Sequence, residues 1–113
     1  MTSSLIQARL LHDEIRSHRR TIHQYAEIGF DLPQTADYVS QTLESYGYEP
    51  VRLIEHGIIC TVGQGSPCIL LRADMDALPM REESGLEFAA SNGNAHSCGH
   101  DMHTACSSER PRF

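Results

Sequence analysis

Apolar residues recur at helical spacing over the first part of the chain. From Ser4 to about Ala26 the positions Leu5, Ala8, Leu11, Ile15 and Ile22 fall three, four or seven apart, which predicts one long amphipathic helix with Ser3 or Ser4 as N-cap and "EIGF" as its exit. A second helix is predicted from Pro33 to Tyr46. Pro33 suits a first helical position, Ala36, Val39 and Leu43 form the buried stripe, and Gly47 is the stop. The period then changes. "EPVRLIEHG" alternates apolar and polar residues, and "GIICTVGQG" reads as a partner strand turning at Gly63 and Gly65. "PCILLRADMDALP" is a continuous apolar run, the pattern of a buried strand, and it ends abruptly in charge. A helix pair followed by buried strands predicts an α/β layer fold, in which carboxylates at the end of a buried strand lie where such folds keep their sites. No repeat, low-complexity segment or linker interrupts the pattern.

Composition narrows the function classes. A chain of 113 residues with 40% hydrophobic and 6% aromatic content is one small domain or part of one. Its net charge of −6, with no basic run, excludes nucleic acid as the expected partner. No apolar run approaches the roughly 18 residues of a membrane span, and "MTSSLIQARLLHDE" meets charge before a signal-peptide core forms. A cytoplasmic protein with reduced thiols is expected. Of the four cysteines, Cys60 and Cys68 lie in strand-like apolar runs and read as ordinary buried core residues.

Three constellations could carry chemistry. In "RADMDALP", Asp74 and Asp76 are two apart, so an extended backbone points both to one side, where they can hold a histidine ligand in its tautomer. The plainer reading is a polar strand end with Arg72 paired to a nearby acid. In "HSCGHDMH", Cys98 and His100 flank one glycine. A locally extended backbone would aim both at one centre, and thiolate and imidazole both suit zinc, with bonds of about 2.3 and 2.0–2.1 Å. His96 and His103 lie near enough to be further ligands or supports, and Asp101 could orient an imidazole through its other nitrogen. The plainer reading here is a polar loop feeding a helix, with Asp101 as N-cap. In "RRTIHQYAEIGF", His23 and Glu27 are four apart, a spacing that more often marks a solvated helix surface than a metal site.

The stretches "RRTIHQYAEIGFDLPQTADYVSQTLESYGYEP" and "ILLRADMDALPMREESGLEFAASNGNAHSCGHDMHTA" resemble the N-terminal part of the metal-dependent amidohydrolases of the aminoacylase and carboxypeptidase G superfamily. The resemblance is to the branch of hippurate hydrolase, N-acyl-amino-acid amidohydrolases, N-acetyldiaminopimelate deacetylase and auxin-conjugate hydrolases, and it runs from about Arg19 to Ala105. It implies the N-terminal part of a two-metal aminopeptidase-like catalytic domain, incomplete over residues 1–106. It implies that Cys98 and His100 are metal ligands for two divalent ions, Mn²⁺ or Zn²⁺, of a complete site. Asp74 matches an aspartate that, in the wider superfamily, supports a histidine two residues earlier, where this chain has Arg72. That leaves Asp74 and Asp76, with His96, Asp101 and His103, in supporting roles. The implied substrate is a small N-acyl amino acid, and a homodimer is implied only for the complete protein.

In the family the general-base glutamate, a glutamate ligand and two histidine ligands lie after the cysteine motif, and "CGHDxHTA" continues into a helix reading close to "MLLGAA". Here the chain reads "CSSERPRF". Loss of the first base from ATG CTC CTC GGA GCG GCC CAG GTT CTG A converts codons for the first kind of sequence into codons for the second and a stop, so residues 107–113 read as an out-of-frame tail. The expectation is a truncated, inactive amidohydrolase fragment with weak or partial metal binding. The alternative is a free-standing small metal-binding or interaction module, which should close its core and cap its last element. A redox role for Cys98 and Cys106 does not fit their spacing.

Overall fold

The first hydrophobic stripe builds two helices in place of the one expected. The computed structural model describes residues 3–112, with α1 over Ser3–Leu10 and α2 over His12–Tyr25. They meet at Leu11, across which hydrogen bonds still run from Leu11 N–H to the Gln7 carbonyl and from Ile15 N–H to the Leu11 carbonyl. Ser3 and Ser4 both lie inside α1. That helix buries none of its residues, and Leu5, Ile6 and Leu10 are exposed, so the stripe becomes a packing face only toward Ile22. Ala26, in the left-handed region at φ 40°, ends α2.

The second helix follows its prediction. α3 spans Pro33–Ser45 with Pro33 at its start and Ala36, Val39 and Leu43 buried. Gly47 follows at φ +86°, a conformation that L side chains rarely adopt. Its N-terminal amides are satisfied from outside the helix. The Glu27 carboxylate accepts the Thr35 N–H at 2.7 Å and the Gln34 N–H at 3.1 Å.

The strands depart further from expectation. β1 (Val51–Leu53) and β2 (Gly57–Ile59) form a short antiparallel hairpin, with Val51 opposite Ile59 and Leu53 opposite Gly57. The "PCILLRADMDALP" run forms no strand among the described residues. Ile69, Leu70 and Leu71 are 82%, 89% and 57% exposed. The physical reason is that such a run becomes a strand only with a neighbour to pair with and layers to cover both faces. Cys68 is exposed and Cys60 half-buried, so the expected pair of buried core cysteines is not found, and both thiols are free.

The core is correspondingly small. Ile22, Val39 and Leu43 form its centre, flanked by Tyr38, Tyr48, Ile58, Cys60 and Met75. Ala26, Ala77 and Ala90 form a second contact that brings the 74–78 loop against the end of α2, where Ala77 N–H donates to the Glu27 carbonyl at 2.7 Å. α4 spans His100–Glu109, continues as a 3-10 turn over Arg110–Arg112, and packs chiefly on α2. The polar "SSER" segment, which opens the stretch read as an out-of-frame tail, buries Ser108 and Glu109. The Ser108 hydroxyl donates to the Thr104 carbonyl, and Glu109 meets His18 and Tyr46.

Candidate metal centre

The Cys98–His100 turn is set by its glycine. Gly99 precedes α4 at φ 95°, ψ 13°, so the backbone is left-handed there and not extended as the spacing suggested. A Cβ at Gly99 would meet nothing within 4 Å. Glycine is therefore required for the dihedral, not for room around a ligand. Cys98 is left exposed as a free thiol and His100 opens the helix.

His100 is held by the 74–78 loop. Its Nδ1 lies 2.9 Å from the Asp76 carbonyl oxygen and 3.0 Å from Asp76 Oδ1. With the proton of the neutral ring on Nδ1, Nε2 carries the lone pair, the arrangement that prepares a histidine as a metal ligand. Asp74 Oδ2 stands 3.9 Å from Nε2, while Oδ1 accepts from Arg72 at 2.5 Å. Asp76 thus hydrogen-bonds the His100 imidazole, and Arg72 pairs with Asp74. The Thr104 hydroxyl donates to the Asp74 carbonyl at 2.8 Å and fixes the first turns of α4 to the same loop.

Asp101 does not cap α4, because Gly99 occupies the cap and Asp101 lies in the first turn. It does orient an imidazole, but that of His23. Its Oδ2 accepts from Arg19 Nε at 2.8 Å and meets His23 Nδ1 at 2.7 Å. His23 Nε2 meets Glu82 Oε1 at 2.7 Å. Burial pushes the Glu82 carboxyl up. Hydrogen bonds from the Ser84 hydroxyl and Ala90 N–H, with the hydrogen bond and charge of His23, outweigh this and hold it at about 2. Phe88 lies edge-on to His23 and beneath the Arg19 and Arg20 guanidinium groups.

His23 and Glu27 correct the surface reading: they are 5% and 8% exposed. Ala26 ends the helix between them, so the i,i+4 geometry does not apply, and each serves a different neighbour. The signal for His23 was present. It follows Ile22 and lies eight positions after Ile15, on the side of α2 that turns inward. Glu82 and the capping role of Glu27 had no such signal, since their partners are loops distant in sequence.

His96 is buried, with both ring nitrogens lacking a hydrogen-bond partner, and its ring lies 6.1 Å from that of His23. Burial pushes its pKa below the ordinary value, and His23 and His100 add to this against the opposing pull of Asp101 and Asp76. The neighbouring Ala95 exchanges both backbone hydrogen bonds with Leu78, which fixes the approach to the turn. His103 is exposed, its ring 6.2 Å from that of His100. The donors fit a borderline divalent metal in kind: an exposed thiol, an imidazole oriented by Asp76, and a buried imidazole with unpartnered nitrogens. Among the described residues, no three ligand atoms converge on the Cys98–His100 turn.

Residues 70–107 match the sequence profile of Peptidase family M20/M25/M40. The chain is 40% identical over 103 residues to an N-acyl-L-amino acid amidohydrolase of Geobacillus stearothermophilus, a match covering 84% of this chain and 28% of that one. It is 41% identical over 98 residues to hippurate hydrolase of Campylobacter jejuni, covering 83% and 26%. A crystal structure from Bacillus subtilis, described as a dinuclear metal binding peptidase from the M20 family, superposes with a TM-score of 0.78 at 30% identity, covering 91% of this chain and 32% of that one. A Staphylococcus aureus structure gives 0.82 at 36% identity, covering 96% and 30%. The chain spans less than a third of the length of these relatives. Residues 70–107, which hold the Cys98–Gly99–His100 turn, thus match the profile of Peptidase family M20/M25/M40, and the chain as a whole superposes on a structure described as from the M20 family.

Proposed function

We propose that the chain supplies Cys98 and His100 as the opening ligands of a two-cation centre, manganese or zinc, that hydrolyses the amide bond of N-acyl amino acids. The observation that carries this reading is His100, whose Nδ1 is engaged by Asp76 so that Nε2 is presented as a donor two residues after an exposed thiol. The relatives named for action on N-acyl amino acids support the substrate class. Bound cations would polarise the amide carbonyl and lower the pKa of a water to make it a nucleophile near neutral pH.

The chain's own residues do the positioning. Asp76 sets the tautomer and ring plane of His100. Thr104 and Asp101 lock the start of α4 to the Asp74 loop and to α2. His96 and Asp74 stand by as polar neighbours, Asp74 with part of its charge directed to Arg72. Because no third ligand atom joins the turn among the described residues, we infer that these 113 residues alone bind metal weakly there and release no amino acid. A cytoplasmic setting, where Cys98 stays reduced, fits the same reading.

The test is a chimera in which residues 1–106 replace the matched segment of the Geobacillus enzyme. Chelator-sensitive hydrolysis of an N-acyl amino acid is expected, and Cys98→Ala or His100→Ala should lower it by about 100-fold or more. A folded chimera that is inactive, or whose activity survives both substitutions, overturns the proposal.

A further inference from the structure

A second group of metal-ligating side chains converges away from the Cys98–His100 turn. Glu14, His18 and Glu109 each offer a ligand atom, and these atoms lie within 4.8 Å of one another. α2 contributes Glu14 and His18 one turn apart, and α4 contributes its last residue, Glu109. Tyr46, which follows α3, hydrogen-bonds to Glu109 and lies 3.5 Å from Glu14 Oε2. We propose that Glu14, His18 and Glu109 form a divalent-cation site suited to zinc.

The argument begins with the histidine. His18 Nδ1 lies 2.6 Å from the Tyr38 hydroxyl, and Nε2 lies 3.0 Å from Glu109 Oε1 and 2.7 Å from the Tyr46 hydroxyl. The Tyr38 hydroxyl occupies Nδ1, so Nε2 faces the carboxylates; with the proton on Nε2 it donates to Glu109 Oε1, and a bound cation would take that proton's place. The Glu109 side chain is 0% exposed and that of His18 only 16%, so this pair is held away from bulk water. One imidazole and two carboxylates are an ordinary donor set for zinc, and bonds of about 2.0–2.2 Å would draw the three ligand atoms closer than their present separation of up to 4.8 Å. Tyr38 holds the ring from its far side, and Tyr46 reaches both carboxylates, the outer contacts that orient such ligands. Glu14 is exposed and gives the ion its route of entry.

This site is independent of the family centre. Glu109 lies beyond the matched residues 70–107, and the length of α4 separates it from His100 by about 14 Å. Its test is zinc titration of the whole chain carrying Cys98→Ala and His100→Ala, which removes the other proposed ligands. One equivalent should still bind, and adding His18→Ala should weaken it by about 10–100-fold. Glu14→Gln, at an exposed position where folding is not at stake, should weaken it by about tenfold. Absence of binding to the Cys98/His100 variant, or binding that ignores His18→Ala and Glu14→Gln, overturns the site and leaves His18 as a hydrogen-bonded ring between tyrosines. Zinc lost with Cys98 and His100 alone would overturn this site while supporting the proposed function.

Discussion

At the residue scale, one carboxylate and one glycine set the Cys98–His100 turn. Asp76 grips His100 through both its carbonyl and its side chain, so Asp76→Ala should weaken metal binding in the chimera by about 10–100-fold while Asp76→Asn, which keeps an acceptor, loses less. Competition with a chelator measures both. Glu82 gives a pH signature. Its carboxyl sits at about 2 in the folded chain against about 4.3 unfolded, so its contribution is present above pH 4.3 and is lost as pH falls toward 2. Urea midpoints followed over that window should fall for the native chain and flatten for Glu82→Gln. The proposed ligand pair is a reading made from residue types, a thiol and an imidazole flanking a glycine. The left-handed dihedral of Gly99 was not legible in the sequence, since glycine permits an extended path equally well. His23 was misread for a different reason. Its helix was placed but its face was taken for solvated surface, because the buried acids that claim it arrive from 59 and 78 residues away.

At the scale of elements, local signals held where local physics decides. α3 was read almost to the residue because Pro33 and Gly47 mark its ends and its stripe packs within the helix pair. Its N-terminus nevertheless depends on Glu27, six residues ahead of the helix. Glu27→Ala should cost about 0.5–2 kcal/mol, the range for losing a helix cap, with no change in the slope of unfolding against urea. A loss well under 0.5 kcal/mol would show that the Gln34 and Thr35 amides find water instead. The 68–77 run failed as a strand because strand pairing is not local. Its sequence specifies burial on two faces, and the described residues supply neither.

At the scale of the whole molecule, the same run governs solubility. Ile69 and Leu70, more than four-fifths exposed, touch little, so Ile69→Glu with Leu70→Lys should leave the melting temperature nearly unchanged while raising the concentration at which light scattering appears. A large drop in melting temperature would mean that the run is packed. Covering an isoleucine or leucine fully is worth about 1.5–3 kcal/mol each, so Ile69, Leu70 and Leu71 together hold several kcal/mol of unused association energy. That store has a consequence in time. A ribosome adds about 5–20 residues per second, so a relative more than three times the length of this chain spends tens of seconds in synthesis after such a run has emerged and before all its covering layers exist. For that interval the emerging protein carries a sticky edge, and its yield depends on whether a chaperone or a neighbouring nascent chain reaches that edge first.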